Sequence, residues 1–133
     1  MRSDKPKVLQ TLAGKPLLEH LFETVSSVSP TRIHVVVGQG SEEIKAKFSD
    51  RTDINWVYQA ERKGTGHAMQ QAATGLDLES RVIILLGDAP LVKKVTLDEL
   101  TSIGADLTIL TVDMPDPYNY GRILRQDSRV LEI

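Results

Sequence analysis

The segment RVIILLGDAP, residues 81–90, constrains the fold more than any other stretch of this chain. Val82 to Leu86 are apolar without interruption, so this strand lacks the alternation of a sheet with one wet face. A run of this kind suits a strand buried on both sides, and Gly87 and Pro90 end it. RIHVVVG, residues 32–38, is a second β-branched run stopped by a glycine. NWVYQ (55–59) and DLTILTV (106–112) read as further strands.

Helical patterns lie between them. Leu17, Leu18, Leu21, Phe22, Val25 and Val28 recur at helical spacing behind Pro16, a residue suited to a first helical turn. SEEIKAKF (41–48) offers Ser41 as an N-cap, with Ile44 and Phe48 four residues apart. Ala68, Met69, Ala72, Ala73 and Leu76 line one side of a third helix, and a short helix is expected around Val95 to Ile103. Strands alternating with helices predict an α/β domain: a mainly parallel sheet with helices on both faces. GRILR and RVLEI, separated by Gln126-Asp127-Ser128, predict an antiparallel hairpin near the end.

The chain has 133 residues, enough for one domain. With 16 basic and 18 acidic residues it offers no basic stripe for a nucleic-acid backbone. There are no cysteines, so disulfides and thiolate chemistry are excluded. The charged start MRSDKPK leads into no apolar signal core, and no run approaches the ~18 residues of a membrane span. A cytoplasmic domain is expected.

In parallel sheets ligands sit beyond the carboxyl ends of the strands. Two groups of residues fall there. In QAERKGTGHAMQQA (59–72), Gly64-Thr65-Gly66 precedes a helix, so exposed N–H groups and a hydroxyl can meet a phosphate or a base edge. The alternative is a plain turn with Thr65 as helix cap. His67 carries no assigned chemistry. Asp88 ends the apolar run, where a carboxylate can hold a hard cation together with phosphate oxygens, or can merely stabilise a turn. Lys7, in KPKVL, can neutralise phosphate as a point charge or stand solvated, and Lys15 has still less to recommend it.

Taken in order, SDKPKVLQTLAGKPLLEH, QAERKGTGHAMQQA, LLGDAPL and YNYGRILR resemble one family across essentially the whole chain. It is the uridyltransferase domain of bacterial bifunctional N-acetylglucosamine-1-phosphate uridyltransferase/glucosamine-1-phosphate acetyltransferase. The first, second and fourth stretches are specific to it, whereas GDAPL is shared more widely among sugar nucleotidyltransferases. The resemblance implies a Rossmann-like α/β fold. It also implies Mg²⁺-dependent joining of UTP and N-acetylglucosamine 1-phosphate, giving UDP-N-acetylglucosamine and pyrophosphate. By the same resemblance Lys7 is the nucleotide-phosphate lysine and Asp88 the Mg²⁺-binding aspartate. Leu86 and Gly87 line the nucleotide pocket, Gln59, Gly64 and Thr65 recognise uracil, and Gly121 contacts the sugar through its backbone.

The family pattern also has parts that are not matched here. It opens with an apolar strand and a loop of the form LAAGxGTRM that wraps the triphosphate. It continues into a sugar-contacting Glu segment, a second metal-binding Asn, and an acetyltransferase β-helix through which family members are homo-oligomeric. Residues 1–133 are therefore expected to be a nucleotidyltransferase domain truncated at both ends, with negligible turnover by itself. Two other readings compete. One is a non-catalytic nucleotide- or phosphosugar-binding remnant. The other is a phosphoacceptor signalling domain, which also needs an acidic pair after its first strand and a lysine after its last, and neither is recognisable here.

Overall fold

The computed structural model describes residues 5–61, 63–77, 79–127 and 129–132. It begins with a 3-10 turn, Lys7–Leu9, which buries Leu9. Strands β1 (Thr11–Leu12) and β2 (Lys15–Pro16) then form a minimal antiparallel hairpin. Its two linking residues both have positive φ, 50° at Ala13 and 85° at Gly14, as a tight turn between right-twisted strands demands.

Helix α1 (Leu17–Ser26) starts directly behind Pro16, as the sequence predicts, and buries Leu18, Leu21 and Phe22. Strand β3 (Ile33–Val37) is followed by the short helix α2 (Glu42–Lys47) and strand β4 (Ile54–Tyr58). β3 and β4 pair in parallel from Ile33 opposite Ile54 to Val37 opposite Tyr58. Ser41 stands at the start of α2 as expected, yet its side chain makes no capping hydrogen bond there. Helix α3 (Thr65–Ala73) follows β4, and α4 (Lys94–Ser102) is anchored by Leu97, only 1% exposed. The terminal hairpin is present: β5 (Leu124–Gln126) pairs antiparallel with β6 (Arg129–Glu132), with Asp127 at φ 54° in the turn. Ser128 of the predicted turn lies outside the described residues.

The core gathers Leu9, Leu18, Leu21, Phe22 and Phe48, flanked by residues of β3 and β4 such as Val35 and Trp56. Phe22 and Phe48 meet edge to face with ring centroids 5.1 Å apart. The Arg51 guanidinium lies 4.6 Å from the Phe22 ring centre, while its other side donates to Asp53 (Nε to Oδ1, 2.8 Å). The arginine thus caps the core with its apolar face and keeps its charge paired at the surface.

The predicted mainly parallel sheet is not what the described residues form. They make three two-stranded sheets, of which only β3–β4 is parallel. Residues 81–86 and 106–112 have no strand assignment. Val82, Ile84 and Leu86 are exposed, as are Leu107, Leu110 and Val112, and Leu85 alone of the first run packs on the core cluster. The reason lies in how β-structure is stabilised. An apolar, β-branched run becomes a strand only when neighbours accept and donate its ladder hydrogen bonds, and among the described residues no strand pairs with either run.

Candidate functional site

Two of the predicted residues, 81 positions apart in sequence, meet directly. Lys7 Nζ donates a short hydrogen bond to Asp88 Oδ2, forming an ion pair. Local structure places each partner. The 3-10 turn presents Lys7 beside Val8, and a Cβ on Gly87 would stand 3.1 Å from Val8 Cγ1, so the missing side chain permits this close approach. On the other side, Ala89 N donates to Leu86 O at 3.0 Å, closing a turn over Gly87-Asp88. The turn holds Asp88, and its side chain pairs with the Lys7 ammonium. Leu86 is exposed beside it. An open apolar groove of about 560 Å³ begins at the next residue, lined by Ala89, Leu91, Val92 and Leu110 among others.

The Lys7 hydrogen bond is the chief reason that the Asp88 carboxyl titrates below the usual carboxylate range. A carboxyl with a folded-state pKa below its unfolded value stabilises the fold above the unfolded pKa, near 3.8, and loses that contribution as pH falls through the folded pKa. Asp88 is 37% exposed, so the pair is worth at most about 1 kcal/mol. In urea denaturation, Asp88→Asn should be slightly less stable than wild type at neutral pH, and the gap should close in acid. A gap that persists once Asp88 is protonated would assign the difference to something other than this charge pair.

The second cluster lies at the end of β4. Gln59 N donates to Val37 O at 2.8 Å, extending the β3–β4 ladder to Gln59 and fixing where its side chain starts. The Gln59 carboxamide reaches Gly64 O at 3.3 Å and His67 Nδ1 at 2.9 Å. Gly64 has φ 91° and ψ 179°, a conformation essentially restricted to glycine. It occupies the N-cap of α3, and no side chain caps that helix. Thr65 is the first helical residue rather than the cap. The amides of the first helical turn have no acceptor within the helix.

The remaining predicted position, Gly121, lies in exposed coil after Tyr120, and a Cβ there would meet nothing within 4 Å. Lys15 pairs with Glu23 at 2.5 Å on the surface, which raises the Lys15 pKa and lowers that of Glu23. Residue-by-residue reasoning left out His67, which touches both Gln59 and Gln71. Its signal was the four-residue spacing of His67 and Gln71 on one helix face.

Among the described residues no three His, Cys, Asp or Glu side chains gather as a metal site. A single ionised, accessible carboxylate nevertheless fits Mg²⁺, which takes one or two carboxylates and completes its shell with phosphate oxygens and water. Asp88 is such a group.

A parallel strand pair with a glycine-led helix start at its carboxyl end, and a lysine–aspartate pair on adjoining turns, is the arrangement of an α/β domain suited to phosphorylated ligands. The sequence makes the class specific: the family model of the MobA-like NTP transferase domain matches residues 1–114, and the chain belongs to that family. It is 45% identical over 135 residues to the bifunctional protein GlmU of Saccharophagus degradans, covering all of this chain and 30% of that protein. The GlmU proteins of Xanthomonas oryzae pv. oryzae and Marinobacter nauticus are 43% and 40% identical, over 94% and 99% of this chain. The chain thus spans about 30% of the length of the curated relatives it matches.

Proposed function

We propose that this chain forms the nucleotide-binding part of a cytoplasmic sugar-1-phosphate uridyltransferase. In the reaction a phosphate oxygen of N-acetylglucosamine 1-phosphate attacks the α-phosphorus of UTP. The bond to the β-phosphate's bridging oxygen breaks, pyrophosphate leaves, and UDP-N-acetylglucosamine is formed. The sugar phosphate is already a nucleophile, so no Ser, Cys or His need be activated. What the protein must supply is alignment and charge neutralisation.

The single observation carrying this reading is the Lys7–Asp88 pair on adjoining turns. Each partner suits one half of a metal–nucleotide: Lys7 neutralises phosphate oxygens, and Asp88 holds the cation. A bound Mg²⁺ supplies further neutralisation of the phosphate charge. A phosphate at Lys7 and a cation at Asp88 would each give these side chains a partner of the same sign of charge that they have in the ion pair. Gln59, with the Gly64-Thr65 helix start, reads the uracil edge. Leu86 and Gly87 border the nucleotide, and the Gly121 backbone meets the sugar. The parallel β3–β4 pair supports a Rossmann-like sheet as the frame. No helix among the described residues is long and apolar enough to cross a membrane.

The test is a graft. This chain replaces the aligned segment of the Saccharophagus degradans relative, which covers it completely. Pyrophosphate release from UTP, N-acetylglucosamine 1-phosphate and Mg²⁺ should proceed at roughly 1–10 s⁻¹, an ordinary enzyme rate. In the graft, Gln59→Ala should weaken UTP use and narrow its preference over CTP. Binding without turnover would move the chain to the remnant reading, and equal losses for both nucleotides would leave Gln59 a loop support.

A further inference from the structure

We infer that His67 is a positioning residue that fixes which end of the Gln59 carboxamide faces the nucleotide base, and so sets which bases are accepted. The inference rests on the base-reading role proposed above for Gln59. A carboxamide has an acceptor end and a donor end of nearly the same shape, so a glutamine discriminates between bases only if something holds its plane. Here two contacts do so. Gly64 O, 3.3 Å from the Gln59 amide nitrogen, can only accept, so the NH₂ end must face it. The second NH₂ hydrogen points to His67 Nδ1 at 2.9 Å. With both hydrogens committed, Gln59 has only its Oε1 acceptor left for a ligand.

That oxygen requires an N–H on the base. Uracil carries one at N3, and cytosine at the same ring position presents a lone pair. The arrangement also defines the tautomer of His67. Nδ1 accepts, so a neutral imidazole carries its proton on Nε2. The Gln71 amide nitrogen lies 3.2 Å from that Nε2, and the Gln71 carboxamide would have to turn its oxygen inward to accept the proton. Gly64 O sets the Gln59 plane, the His67 ring holds it, and Gln59 offers an acceptor. A His67 tautomer with Nδ1–H would demand the opposite Gln59 orientation, in conflict with Gly64 O.

Two measurements on the 133-residue chain test this. Long-range ¹H–¹⁵N correlation of the histidine ring at neutral pH should show His67 with an unprotonated Nδ1 and a protonated Nε2, and the reverse tautomer overturns the inference outright. Equilibrium titrations with UTP and CTP should show a UTP preference that His67→Ala lowers about tenfold, the change expected when one hydrogen bond loses its orientation. His67→Asn, whose Oδ1 can accept where Nδ1 did, should restore most of the preference. If wild type prefers UTP and His67→Ala keeps that preference intact, His67 is only a helix residue and the base-reading role of Gln59 stands. Equal affinity of wild type for both nucleotides instead removes the base-reading role, and this inference with it.

Discussion

Uridyl transfer by the grafted protein is expected to fall at least about a hundredfold when Asp88 becomes Asn, the usual cost of losing one preorganised electrostatic contact in a transition state. The substitution keeps the shape of the side chain and removes its charge. Asn can still accept from Lys7 and hold the Leu86–Ala89 turn, which is closed by backbone atoms alone. Folding should therefore survive, consistent with the small stability effect derived for an exposed pair. A cation needs the carboxylate, however, so the loss should appear in the Mg²⁺ dependence of turnover. Lys7→Ala should produce a loss of the same order, through the phosphates. Initial rates across a Mg²⁺ titration decide the matter. An unchanged rate in Asp88→Asn would leave Asp88 as a turn residue and remove the main support for the catalytic reading.

The second large effect is on stability. Phe22→Ala should cost about 3–5 kcal/mol, the range for truncating a buried phenylalanine. Phe22 is 3% exposed, touches Phe48 edge to face, and carries Arg51 over its ring. One substitution therefore removes the centre of the cluster and uncovers a contact that orients Arg51. Single domains are stable by only about 5–15 kcal/mol, so the variant should lose a large share of its stability and unfold at a lower urea midpoint. Trp56, the only tryptophan in the chain, packs on this cluster, and its fluorescence in urea follows the transition. A midpoint equal to that of wild type would mean that the core is centred elsewhere.

How far each element could be read beforehand depended on where its stabilising partners lie. Helix α1 was legible because Pro16 and the spacing of Leu18, Leu21 and Phe22 specify both its start and its buried face. β3 and β4 were legible as strands with a helix between them, an order that provides the crossover that parallel pairing needs. The hairpin at β5–β6 announced itself through its turn residues. The strongest run of all, Val82–Leu86, misled for the same reason that it was conspicuous. Its composition states that it suits a buried strand, while ladder bonds come from other segments, and none of the described strands supplies them.

The sequence by itself determined the chemistry that could be present: an acidic residue behind an apolar run, a lysine ahead of the first helix, a pair of glycines ahead of another helix. These are properties of residue type and local spacing, and they survive in any fold that keeps the turns. Only the tertiary structure decided which groups meet. It placed Lys7 on Asp88 across 81 positions because Gly87 lets Val8 approach its backbone. It also brought the His67 ring into contact with the Gln59 carboxamide. The physical reason is that a hydrogen bond or an ion pair depends on distances of a few ångströms, and those are set by how separate elements pack, which no local pattern encodes.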